Sequence, residues 1–150
     1  MVITNKKRAA GLKRLFFLIG LAMAVFMLIM FVKDRIGTIL LTAGAFVVWF
    51  FIFQFFDFLY VEFSDDNDKI LLRYYPAVKF GKKDYNEIEF PQKMLHDARF
   101  ETSLFGLITD LMLVVKTKRG VAEYPSVSLS AVKAADRKKI EEALYRILEK

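Results

Sequence analysis

Few residues in this chain could do chemistry, and their spacing decides what kind. His96 is the only histidine, standing beside Asp97 in KMLHDARF, and a histidine oriented by a carboxylate is the pairing of a general base. Neighbours along a strand point to opposite faces, however, which misplaces this pair. No cysteine, second histidine or spaced carboxylate pair joins it into a nucleophile or a metal site. Asp65, Asp66 and Asp68 in SDDNDK offer the hard oxygen ligands that calcium takes. The stretch has no glycine at a sharp turn and no bidentate glutamate closing a twelve-residue loop, so it reads as a solvated hairpin turn. These residues point away from an enzyme and from a bound cofactor.

What remains is a chain suited to a membrane. Of its 150 residues 55% are hydrophobic and its mean hydropathy is +0.32, too apolar for an ordinary water-soluble domain of this size. Leu15 to Val32 and Ile36 to Phe56 carry no charge, and each comes near the ~20 residues that cross hydrocarbon as a helix. Lys33, Asp34 and Arg35 are too few to hold anything between them. Residues 15–57 therefore form a transmembrane hairpin (15–32 and 36–57) with both chain ends on one side. Lys6, Lys7, Arg8, Lys13 and Arg14 precede the first span with no acid among them, which makes residues 1–14 a basic cytoplasmic segment by the positive-inside rule. Lys33 and Arg35 in the outer turn vote the other way. A cleaved signal peptide is the rival for the first span, against which stand its length and the second span that follows at once.

The formal charge of +6 invites nucleic acid until it is divided along the chain. Through Tyr60 seven bases face two acids, so +5 of the +6 sits beside the membrane. Membrane lipids are thus the expected partner of these bases, and nucleic acid is not. Lys79, Lys82 and Lys83 form a second basic group, either a headgroup contact or a loop of ordinary solvated lysines. The absence of cysteine leaves no disulfide framework and is compatible with a reducing compartment.

Past Asp57 the period changes to two. Leu59, Val61 and Phe63 point one way, and Ile70, Leu72 and Tyr74 repeat the pattern beyond the acidic turn, which makes a β-hairpin running almost directly out of the second span. Further strands are expected at 77–80, 86–90, 93–100, 111–118 and 121–128, with Pro125 marking an edge or a break in the last. Ile140, Leu144, Ile147 and Leu148 then fall on one helical stripe, with Ser130 or Asp136 as candidate caps. The fold class expected is a membrane α-helical hairpin plus an α+β domain over 58–150, small and antiparallel, closed by one C-terminal helix.

That order of elements, with Ser103-Leu104-Phe105-Gly106 between an I-x-F strand (Ile88, Glu89, Phe90) and a long apolar strand, resembles the bacterial membrane-anchored pleckstrin-homology-like (PH-like) families. The resemblance implies a PH-like barrel or sandwich on the cytoplasmic side of a bacterial inner membrane. Basic residues usually flank the first hairpin loop of PH domains that bind phosphoinositides, whereas here that loop is acidic. The function this implies is contact: an interaction or scaffold protein, or an accessory subunit of a membrane complex, with lipid-headgroup or membrane-state sensing as the alternative. Gly20, Ala24, Thr38, Thr42 and Gly44 are small residues suited to helix packing. Met23, Met27 and Met30 form an adaptable stripe for a membrane protein partner or a second copy. Phe105 is an exposed anchor if its segment is a loop, and a core residue otherwise.

Overall fold

A computed structural model describes residues 1–78 and 85–150. The chain opens with a short strand, β1 (Val2–Thr4), and passes directly into helix α1 (Lys6–Val32). A tight turn with Asp34 at φ +53° leads to α2 (Ile36–Phe55), which returns antiparallel to α1. At ~1.5 Å per residue the two helices are about 40 and 30 Å long, and both are long and apolar enough to cross a membrane. Neither is the buried core helix of a soluble protein, because Leu21, Phe31, Val32, Leu40, Leu41, Phe51 and Phe55 are each more than 60% exposed.

The rest is a sandwich. Strands β2 (Leu59–Ser64), β3 (Lys69–Pro76) and β4 (Asn86–Pro91) follow in a meander, and β1 adds to the free edge of β2, giving a first antiparallel sheet in the order β1-β2-β3-β4. Strands β5 (Leu95–Ser103), β6 (Ile108–Thr117) and β7 (Gly120–Glu123) make the second, with the two-residue β8 (Val127–Ser128) also paired to β6. The two sheets do not close into a barrel, as the expected PH-like barrel would. Helix α3 (Ala134–Leu148) ends the chain.

The alternation read in the sequence sets the faces. Val61, Phe63, Ile70, Leu72, Ile88 and Phe90 of the first sheet meet Leu111, Leu113 and Val115 of the second, and Ile140, Ala143 and Leu144 of α3 close the same core. The opposite face of the first sheet is polar: Lys69 pairs with Glu89 at 2.8 Å and Arg73 with Glu87 at 2.6 Å across strands. Such exposed pairs fix register more than they stabilise, at roughly 0–1 kcal/mol each.

The elements differ in detail from those expected. Within the basic segment 1–14, Val2 to Thr4 pair with Ser64 to Glu62 and the bases lie on the first turns of α1. The strand expected over 121–128 breaks at Tyr124-Pro125-Ser126, one of the two outcomes Pro125 marks, because Pro125 has no N–H to continue the ladder. Ser130 and Asp136 do not cap α3. Lys133 is its N-cap, with no side-chain bond, and the Ser130 hydroxyl pairs with that of Ser128 instead. Ala77 and Val78 lie beyond β3, and the remainder of the strand expected at 77–80 lies outside the described residues.

Candidate functional site

The place where the hairpin enters the sandwich is the best-defined site in the chain. The strands on either side of the hairpin, β1 and β2, are hydrogen-bonded neighbours, so the two helices form an insertion between adjacent strands of one sheet. Asn5, at the β1–α1 junction, is buried; its side chain donates to the Leu59 carbonyl at 2.8 Å and accepts from the Val61 N–H at 2.9 Å. At the other junction Asp57 has φ +43°, which bends the chain out of α2 into β2. Phe58 packs there on Phe53 (ring centroids 5.0 Å) and stacks on Phe56 (5.6 Å).

Phe16 of α1 sits 4.9 Å from Phe53 of α2, centroid to centroid, which levels the two helices at that height. The turns of α1 before Phe16 run on toward the sheet and bury Ala9. Lys6, Lys7, Arg8, Lys13 and Arg14 are all exposed on those turns, at the domain end of the hairpin. Beside Lys13 and Arg14 an open apolar strip of Phe17, Leu18 and Leu21 runs along the same face of α1. Tyr60 stacks on Tyr75 (4.5 Å) and Tyr75 meets Tyr85 edge-on (5.3 Å), near the hairpin end of the first sheet. Burial pushes the phenols of Tyr60 and Tyr75 above their ordinary pKa because it disfavours phenolate.

A cavity of about 290 Å³ on the same end is lined by Phe55, Phe56 and Asp57 together with Ser103, Ile108, Asp110, Ser126 and Ser128. Ser103 and Ile108 bracket the β5–β6 loop, so that loop projects beside the end of α2. It is a loop, and Phe105 at its tip is fully exposed, 106% of the reference value.

The other residues singled out in the sequence are dispersed. Met23, Met27 and Met30 are half-buried, on the side of α1 that Phe16 and Gly20 share. A Cβ on Gly20 would lie 3.6 Å from the Phe46 ring of α2, whereas one on Gly44 would meet nothing within 4 Å. Ala24 is exposed too, so helix-on-helix packing accounts for Gly20 but not for Ala24 or Gly44. Thr38 and Thr42 are half-buried, the Thr42 hydroxyl donating to the Thr38 carbonyl within its own helix at 2.8 Å. Lys79, Lys82 and Lys83 lie outside the described residues.

His96 is exposed in a bulge of β5, and Asp97 turns from it to Arg99 (3.0 Å) and the Ala98 N–H (2.8 Å). The acidic turn lies at the far end of β2 from the hairpin. There the Met1 amine pairs with Asp65 at 2.6 Å and also with Asp66, so two carboxylates of the expected hairpin turn take part in an ion pair with β1. Sequence reasoning missed Asn5 and β1; the one signal was a β-branched pair, Val2 and Ile3, ahead of an Asn at a helix start.

Comparison of the chain with protein-family models, with curated proteins and with solved structures finds no match.

Proposed function

We propose that this chain is a non-enzymatic protein of a bacterial inner membrane, a scaffold or accessory subunit whose hairpin and PH-like sandwich act by contact with a membrane protein partner or a second copy. The observation that carries the reading is the double attachment. Because the hairpin leaves the sheet through β1 and rejoins it through β2, the sandwich cannot swing on a single linker. A shift of the helices reaches the edge of the sheet through Asn5 and Asp57. Such coupling suits a part that reports or fixes the position of a neighbour at the bilayer surface.

The cytoplasmic orientation rests on the bases at the domain end of α1, where the cytoplasmic leaflet is negative. The PH-like likeness is supported by the antiparallel meanders closed by α3. It departs from that family in the open sheets and in the hairpin's place after the first strand. The free edge of β4 can take a strand from a partner.

A second reading, lipid sensing, is favoured by the open face of α1 on which Lys13 and Arg14 stand beside Phe17, Leu18 and Leu21, offering two bases to an anionic headgroup and an apolar strip to its acyl chain. Native mass spectrometry of the full chain, extracted from its own membranes in mild detergent, separates the two. A stoichiometric second subunit or a defined homo-oligomer supports the scaffold. A monomer with one retained lipid species supports sensing, and a bare monomer overturns both.

A further inference from the structure

We propose that the β5–β6 loop, Leu104 to Leu107, is a second membrane contact, a wedge that lodges at the headgroup–acyl boundary of the bilayer spanned by the hairpin; this rests on the membrane reading above.

Position comes first. Ser103 and Ile108 are paired across the base of the loop and share a cavity with Phe55 and Phe56, the end of α2. The tip therefore projects from the sandwich beside the end of α2, where α2 would leave the hydrocarbon and where Phe51 and Phe55 are 65% and 66% exposed.

Conformation comes next. Leu104, Phe105 and Gly106 have φ of +48°, +55° and +89°, three successive residues in the left-handed region. Glycine adopts it freely, but Leu and Phe pay a steric penalty there. The turn spends that strain to aim three apolar side chains outward: Phe105 is fully exposed, Leu107 61% and Leu104 44%. Nothing inside the sandwich recovers the cost, because the Phe105 ring contributes no burial to the core.

Chemistry chooses the occupant. Behind the apolar tip the cavity wall is polar, with Ser103, Asp110, Ser126 and Ser128. An apolar tip ahead of a hydrated shoulder matches the gradient of a bilayer interface, where Phe and Leu insert and hydroxyls and carboxylates stay among the headgroups. A protein partner at this height would first have to displace the lipid around α2. The wedge pins the second sheet, as β1 and β2 pin the first.

The chain has no cysteine, so one introduced cysteine carries a nitroxide uniquely. The full chain is reconstituted in vesicles of phosphatidylcholine and phosphatidylglycerol with the label at Leu107→Cys. Controls carry it at Val47→Cys on the exposed face of α2 and at Asn67→Cys in the far turn. Collisions with oxygen, which concentrates in hydrocarbon, are compared with those of an aqueous nickel chelate. The Leu107 label is expected to favour oxygen, as Val47 does, and to switch to the Asn67 behaviour when Phe105→Asp is added. A Leu107 label that favours nickel while Val47 favours oxygen overturns the wedge alone. One shielded from both reagents overturns it in favour of a protein contact, and one indifferent to Phe105→Asp removes Phe105 as the anchor. If Val47 itself favours nickel, the membrane reading fails and the wedge with it.

Discussion

Asn5 and Val61 are bonded in both directions: the Asn5 backbone N–H donates to the Val61 carbonyl at 3.2 Å, and the Val61 N–H donates to the Asn5 side-chain oxygen at 2.9 Å. The side chain thus supplies the next rung of the β1–β2 ladder at the residue where the backbone has already turned into α1. It is spent on the sheet and not on capping the helix. Replacing Asn5 by Ala would leave the Leu59 carbonyl and the Val61 N–H buried without partners, at about 1–3 kcal/mol each. The expected loss is about 2–6 kcal/mol, read as a lower thermal midpoint of the full chain in detergent. Asn5→Asp should be no better, because a carboxylate oxygen would face the Leu59 carbonyl. An unchanged midpoint in both variants would remove the clamp.

At the opposite end of β2 the Met1 amine is held above its ordinary pKa by the hydrogen bonds it donates to Asp65 and Asp66, while Asp66 is held below the ordinary carboxylate value chiefly by accepting from that amine. A raised amine contributes fully below its unfolded pKa of about 8 and is lost as pH climbs through the folded value. A depressed carboxylate contributes above about 4 and is lost as pH falls through its folded value. The contact therefore holds β1 between about pH 4 and 8 and weakens on both sides. Urea midpoints of the native chain should fall as pH rises past that window, and those of an Asp65→Asn, Asp66→Asn chain should change less. Parallel profiles would mean that the pair plays no part in seating β1.

Much of the sandwich was legible because one face of each strand is buried and the other is wet. Leu59, Val61 and Phe63 alternate with Tyr60 and Glu62, and the structure buries the first set. Ile140 and Leu144 likewise mark the inner side of α3. Strand β1 was illegible because three residues hold no period and its partner lies some sixty residues along the chain. In the hairpin the difficulty is chemical: with apolar residues all around the middle of α1, composition cannot say whether Met23 or Ala24 lies toward α2, and only the structure, with Met23 half-buried and Ala24 exposed, separates them. The turn at Leu104 and Phe105 was hidden for the opposite reason, since neither residue type favours a positive φ.

Two phenylalanines bracket the range of substitution effects. Phe63 is wholly buried at the centre of the core, and Phe63→Ala should cost about 3–5 kcal/mol through lost burial and the cavity left behind. Phe105 lies outside the core at φ +55°, so Phe105→Gly relieves backbone strain and removes no internal contact. In detergent it should match the native midpoint or exceed it by up to about 1 kcal/mol. A large loss at Phe105 would show that the ring is held by a protein surface even in the purified chain.

The hairpin makes the last prediction, through its glycines. Gly20 stands one ordinary van der Waals distance from Phe46, so Gly20→Ala should fit, with the better helix propensity of Ala worth up to about 1 kcal/mol. Gly20→Leu would have to push Phe46 aside and part the helices, and should lower the midpoint. Gly44 faces open space, so Gly44→Leu should leave the isolated chain as stable as before. Its value lies in the native membrane, because close approach of another helix is what a small residue on an outward face permits. If the native chain extracts with a stoichiometric partner, a Gly44→Leu chain that keeps its midpoint in detergent but loses that partner would put it on the outer face of α2. A chain that keeps both would direct the search to the sandwich and the free edge of β4.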